Sequence, residues 1–119
     1  MITQRAQARA QQRAHMLTRR EELYKAFIEE PSKLYADSLV HETPDVSQLI
    51  RLYAMVNLMR VVSPTTIVEG AEKVGRMIVN TYLEPSKTFP ELWDMVNSGA
   101  MDPLRDFSEA CREEIQRLQ

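Results

Sequence analysis

Apolar residues recur at steps of three and four from Met16 to Leu118, and no stretch alternates at period two with β-branched residues. Spacing of three and four lines residues up on one face of a helix, whereas a half-buried strand needs strict alternation. The chain is therefore expected to be all-α, with no sheet. At 119 residues and 44% hydrophobic content it holds one core. A domain of this size hides roughly two-thirds of its unfolded surface, so it needs neither disulfide nor metal.

Caps and breakers divide the pattern. The spacing predicts a first segment over 16–41, carrying Leu17, Tyr24, Phe27, Ile28, Leu34, Tyr35 and Leu39 in phase across Pro31. Proline inside a helix costs about 3 kcal/mol. Glu30 is nevertheless a poor N-cap and no Gly or Asn stops the segment before it, so one long helix kinked near Pro31 is expected. Glu42-Thr43-Pro44 reads as a connector, and Asp45 with Gln48 has the capping-box pattern for a helix over 45–62. There Val46, Leu49, Ile50, Tyr53 and Val56 form one apolar row, widened by Leu52, Met55, Leu58, Met59 and Val62. A helix so apolar on most sides is expected at the centre of the core.

Ser63-Pro64 reads as N-cap and first residue of a helix over 64–83, with Ile67, Ala71, Val74, Gly75, Ile78 and Tyr82 inward. Gly75 on that face suggests a close helix crossing. Thr88 with Glu91 is a second capping box, for a short helix over 89–98 carrying Phe89, Leu92, Trp93 and Val96, with Gly99 as its stop. Asp102-Pro103 opens a last helix over 103–118, whose stripe is Leu104, Phe107, Cys111, Ile115 and Leu118. The expected architecture is a bundle of four main helices plus one short helix.

Charge is unevenly distributed. Residues 1–20 hold five Arg and no acid, a charge of +5, while the remaining 10 Lys+Arg and 17 Asp+Glu sum to −7. The reading is a basic Arg/Gln/Ala-rich helical arm at 1–20 on a bundle domain at 21–119. On a helix Arg5, Arg9 and Arg13 make one ridge, and Ala6, Ala10, Ala14 and Leu17 a neighbouring one. With Arg19 and Arg20, the Arg ridge is the candidate anionic-surface site. The Ala ridge is the candidate self-association site, because a helix from Thr3 to His41 is roughly 58 Å long and overhangs a bundle of this size. A homodimer is the expected state, with coiled-coil-like helix pairing.

Chemistry-bearing motifs are sparse. His15 and His41 have no His or Cys at ligand spacing, and there is no HExxH, CxxC or phosphate loop, so no cofactor and no metal is expected. Glu69 with Glu72, Glu29-Glu30 and Glu113-Glu114 read as solvated faces, and Asp37 as the acid to inspect for burial. Tyr24, Tyr35, Tyr53, Tyr82 and Trp93 fall in or beside apolar rows and read as core or rim. None of them punctuates the Arg ridge, so nucleic acid is not the expected partner. Cys111, alone, reads as a buried thiol in a reducing cytoplasm. Five Arg without an apolar run exclude a secretory leader within residues 1–20, and no run of 18 apolar residues occurs.

The segments RREELYKAFIEEPSKLYADSLVHE, LIRLYAMVNLMRVVSP, IVNTYL and DPLRDFSEACREE resemble a family of uncharacterised bacterial helical proteins, over about residues 19–115. The resemblance implies an unbroken helix through Pro31 and no established activity. Some members of that family carry a membrane-spanning segment ahead of a similar Arg/Gln-rich stretch, which in this sequence starts at Met1-Ile2-Thr3 with no such segment before it. A polybasic arm beside a membrane would favour its inner face.

Three functions follow in order. The first is a non-enzymatic helical interaction and self-association module, cytoplasmic and membrane-proximal, with a protein partner yet to be identified. The second is a binder of anionic surfaces or nucleic acid through the arm. The third is a small-molecule-binding or enzymatic bundle.

Overall fold

The computed structural model describes residues 4–41, 43, 45–99 and 102–119, and these form five helices with no strand among them. They are α1 (Gln4–Val40), α2 (Val46–Val62), α3 (Thr65–Tyr82), α4 (Phe89–Ser98) and α5 (Asp102–Leu118). The expected all-α bundle, with four main helices and one short one, is what folds. Glu42 and Pro44 of the expected connector, and Thr3 at the expected helix start, lie outside the described residues.

α1 runs 37 residues through Pro31 without a break. Pro31 has no N–H to give the carbonyl of Phe27, and its ring is instead fully buried in the core. Beside it, the Ser32 hydroxyl donates to the carbonyl of Ile28 at 2.6 Å. Burial of the ring in the core offsets the missing bond, while the Ser32 donor goes to the next carbonyl along. The helix reaches twelve residues further toward the N-terminus than the apolar spacing alone indicates. Residues 4–16 are all exposed, and the molecule measures 65 × 30 × 19 Å as a result.

α1 and α3 pack together at the centre, with α2 and α5 each laid against both; α2 and α5 do not meet. The core holds Tyr24, Phe27, Leu34 and Tyr35 of α1, Ile67, Ala71, Val74 and Ile78 of α3, and Phe107 and Cys111 of α5. Phe27 and Phe107 meet edge to face, their centroids 5.0 Å apart. α2 contributes only Leu52, Met55, Val56 and Met59. The expectation that α2 is the central helix is thus wrong. It is an outer helix, apolar on its solvent side as well, and hydropathy alone does not distinguish the two situations.

Two local expectations also change. Gly75 does not mark a helix crossing, since a Cβ there would have no heavy atom within 4 Å. The close approach is at Gly70, where a Cβ would lie 3.3 Å from the Phe107 ring. Ser63 closes α2, donating its N–H to the Met59 carbonyl, and Pro64 takes the N-cap position of α3. With its hydroxyl spent on Tyr24 at 2.7 Å, Ser63 serves packing between α1 and the α2–α3 corner.

The remaining caps follow their residue types. Asp45 accepts from the Ser47 N–H at 3.0 Å, and Thr88 and Glu91 complete a reciprocal capping box. Gly99 ends α4 at φ 81°, a conformation favouring glycine because it has no Cβ. The C-terminal carbonyls of α1 are met from outside the helix. The Lys87 N–H donates to the Leu39 carbonyl at 2.8 Å, and the Ser86 hydroxyl to that of Val40 at 3.2 Å. The α3–α4 loop is thereby pinned to the end of α1.

Candidate functional site

The expected anionic-surface residues do not share one environment. Arg5, Arg9, Arg13 and Arg19 are exposed along α1, and none forms an ion pair with another described residue. Arg20 differs, being half-buried, and its Nη1 donates to Glu114 Oε1 at 3.1 Å. Glu114 also accepts from Arg117, at 2.7 Å from Nη2 and 3.1 Å from Nε. It is buried, although its place in an acidic pair reads as a solvated face; the correction follows from its step of seven from Phe107 on the inward side of α5. Three groups thus lock α1 to α5.

On the expected self-association ridge, Ala6, Ala10 and Ala14 lie on the exposed stretch of α1. Leu17 is half-buried, in a shallow pocket with Arg13, Met16, Arg20 and Leu118. The structure brings no second helix onto Ala10 and Ala14 among the described residues.

Other groups with chemistry are structural. Asp37 is partly exposed, and its carboxylate accepts from the Tyr82 hydroxyl at 2.5 Å and lies 2.8 Å from His41 Nδ1. Burial and this carboxylate push Tyr82 well above the usual tyrosine range. Glu72 bridges Arg60 at 3.2 Å and Arg76 at 3.8 Å. The described residues contain no group of three or more His, Cys, Asp or Glu placed to hold a metal ion, and no helix long and apolar enough to cross a membrane.

Cys111 is buried, and desolvation pushes its thiol from 9.0 up to about 12. Burial likewise raises Tyr24 and Tyr35, the latter's hydroxyl having no hydrogen-bond partner among the described residues. In the unfolded chain these groups lose protons near their ordinary values, so alkaline solution favours unfolding. Thermal stability should be level between about pH 7 and 8 and fall steadily as pH rises from 9 toward 12. A melt series against pH checks this, and a midpoint unchanged at pH 11 would contradict it.

Large apolar side chains stand outside the core instead. On the outer side of α2 these are Val46, Ile50, Tyr53, Leu58 and Val61, all more than half exposed. Helical spacing puts Val46, Ile50, Tyr53 and Val61 opposite Leu52, Met55 and Met59. α4 buries no residue fully; Leu92 and Met95 rest on the core, while Phe89, Trp93 and Val96 face solvent. Between α2 and α3 lies an open groove of about 390 Å³, walled by Leu49, Tyr53 and Val56 on one side and Gly75 and Val79 on the other. The sequence reading assigned α2 and α4 to core or rim and so missed this surface.

Comparison with protein-family models, with curated protein sequences and with solved structures finds no match to this chain.

Proposed function

We propose that the chain is a non-enzymatic helical interaction module that pairs with a second copy of itself in the cytoplasm. The observation that carries this reading is the outer face of α2. A helix with Val46, Ile50, Tyr53 and Val61 turned to water presents apolar area that a solitary domain has no reason to keep. Polar residues at those positions would leave the core unchanged, because Leu52, Met55, Val56 and Met59 are the buried residues of α2 and Leu49 packs beside them. A buried, unreactive Cys111 suits a reducing compartment. The Ala6, Ala10, Ala14 and Leu17 ridge is the lesser candidate surface, since alanine buries little area. Light scattering is expected to give a dimer at tens of micromolar, with dissociation on dilution. A monomer at those concentrations would overturn the proposal.

A second reading adds a location and rests on the exposure of Arg5, Arg9, Arg13 and Arg19 along one projecting helix. Such a row is drawn to anionic lipid at about 1 kcal/mol per Arg near the surface. The acidic body opposes it, so binding acts through the arm alone. Changing Arg5, Arg9 and Arg13 to Gln should abolish sedimentation with anionic vesicles at low salt and leave the melt of the body nearly unchanged. Vesicle binding that survives the triple change would refute the role of the arm.

A further inference from the structure

We infer that α4 of one copy docks into the α2–α3 groove of a second copy, and the second copy's α4 into the first, making a reciprocal twofold dimer. The inference rests on the self-association reading and places a contact at the groove that borders the outer face of α2, sharing Tyr53 with it. Phe89, Trp93 and Val96 are spaced by four and three, so they form a single ridge on α4, and they are 78%, 61% and 57% exposed. A short helix laying such a ridge into an apolar groove is a common mode of recognition. The groove is of the size that takes drug-like ligands, enough for an indole and a phenyl ring. Its wall at Gly75 is open, with no heavy atom near the place of a Cβ.

The ridge does not fill its own groove, which no residue of α4 lines. The loop ahead of α4 is pinned to Leu39 and Val40, and Leu92 and Met95 hold the other edge of α4 on its own core. The ridge is therefore presented outward. Net charge favours the encounter without a direct contact: α4 carries Glu91 and Asp94 and no Lys or Arg, both off the apolar ridge by helical spacing, while Arg60 and Arg76 share the single carboxylate of Glu72 at the groove, leaving it +1. Area argues for reciprocity. Aromatic side chains present about 150–250 Å² each, so Phe89 and Trp93 at their exposed fractions offer roughly 200–350 Å² per copy. With the groove surfaces they cover, two such sites bury roughly 800–1,400 Å², before Val96 and the rims are added. One site alone falls below the ~1,200 Å² of a stable interface, whereas two reach it.

The test pairs two variants of the whole chain. Trp93→Ala breaks the ridge and keeps the groove. Gly75→Leu fills the groove and keeps the ridge, and it removes a helix-weakening glycine at a position with room for a side chain. Far-UV circular dichroism melts confirm that each folds. Each variant loses both contacts of a reciprocal dimer, so each homodimer should weaken at least a hundredfold. Mixed, they should form a heterodimer about tenfold tighter than either homodimer, because the intact ridge of one meets the intact groove of the other. Trp93 is the sole tryptophan, and its emission should shift to shorter wavelength with concentration in the wild type but not in Gly75→Leu. A wild-type dimer that either variant leaves intact, or a mixture no tighter than its components, overturns this contact and leaves self-association standing. A wild-type chain monomeric at tens of micromolar overturns both.

Discussion

Replacing Phe27 with alanine is expected to cost about 3–5 kcal/mol and lower the midpoint of thermal unfolding by roughly 10–20 °C. Phe27 has no exposed surface and sits where α1 meets α5, its ring edge to face with Phe107 at 5.0 Å. Truncation removes the apolar transfer energy and leaves a cavity that two long helices cannot close without moving along their whole length. The contact lies three residues after Tyr24 and four before Pro31, a region held by Ser63 on one side and by the buried proline ring on the other. Local collapse is therefore limited, which places the cost high in the range. A loss under about 1 kcal/mol in chemical denaturation would mean that α1 and α5 do not pack in solution as described.

Replacing Glu114 with alanine is expected to cost about 2–3 kcal/mol, and Arg117→Ala far less. Glu114 is 8% exposed, while the Arg20 and Arg117 side chains are 20% and 62% exposed. Removing the carboxylate strands Arg20 at the α1–α5 junction, and removing one partner of a buried pair costs about 3–5 kcal/mol. Partial access to water for Arg20 lowers that figure. Arg117 lies largely in solvent, where water screens the ion pair and little is lost with it. The double variant with Arg20→Met should recover part of the loss, because no unpaired cation then remains. If Glu114→Ala and Arg117→Ala cost the same, the Arg20 contact contributes nothing.

Helix identity was legible wherever a cap met a run of regular spacing. The Thr88–Glu91 box and Gly99 bound α4 to the residue, since both act within four positions of chain. Continuity through Pro31 was legible too, because the spacing of Phe27, Leu34 and Tyr35 keeps phase across it. What sequence could not arbitrate was depth. α2 and α3 are both rich in apolar residues, but α3 concentrates them on one side, whereas α2 spreads them around its circumference, and a helix of that kind suits either a core or an interface. Gly70 and Gly75 lie five residues apart on α3, and only the position of α5 decides which of them is crossed. Glu114 carried a usable sign, lying seven residues after Phe107 and three after Cys111, but its charge outweighed its phase in the reading. The candidate contact surface was legible as residues and not as a surface, since exposure depends on which side of the core a helix occupies.

The lock between the first and last helices bears on how the protein is made. Arg20 and Glu114 are 94 residues apart in the chain. Synthesis at about 5–20 residues per second leaves roughly 4–16 s between completion of α1 and arrival of the last residues. For that interval Tyr24 and Phe27 lack the helix that covers them, and the emerging polypeptide carries its most apolar seam open. Chains that end before Asp102 keep that seam open permanently. Such fragments should gather in the insoluble fraction of a cell extract or be held by chaperones, while the full-length protein closes on release.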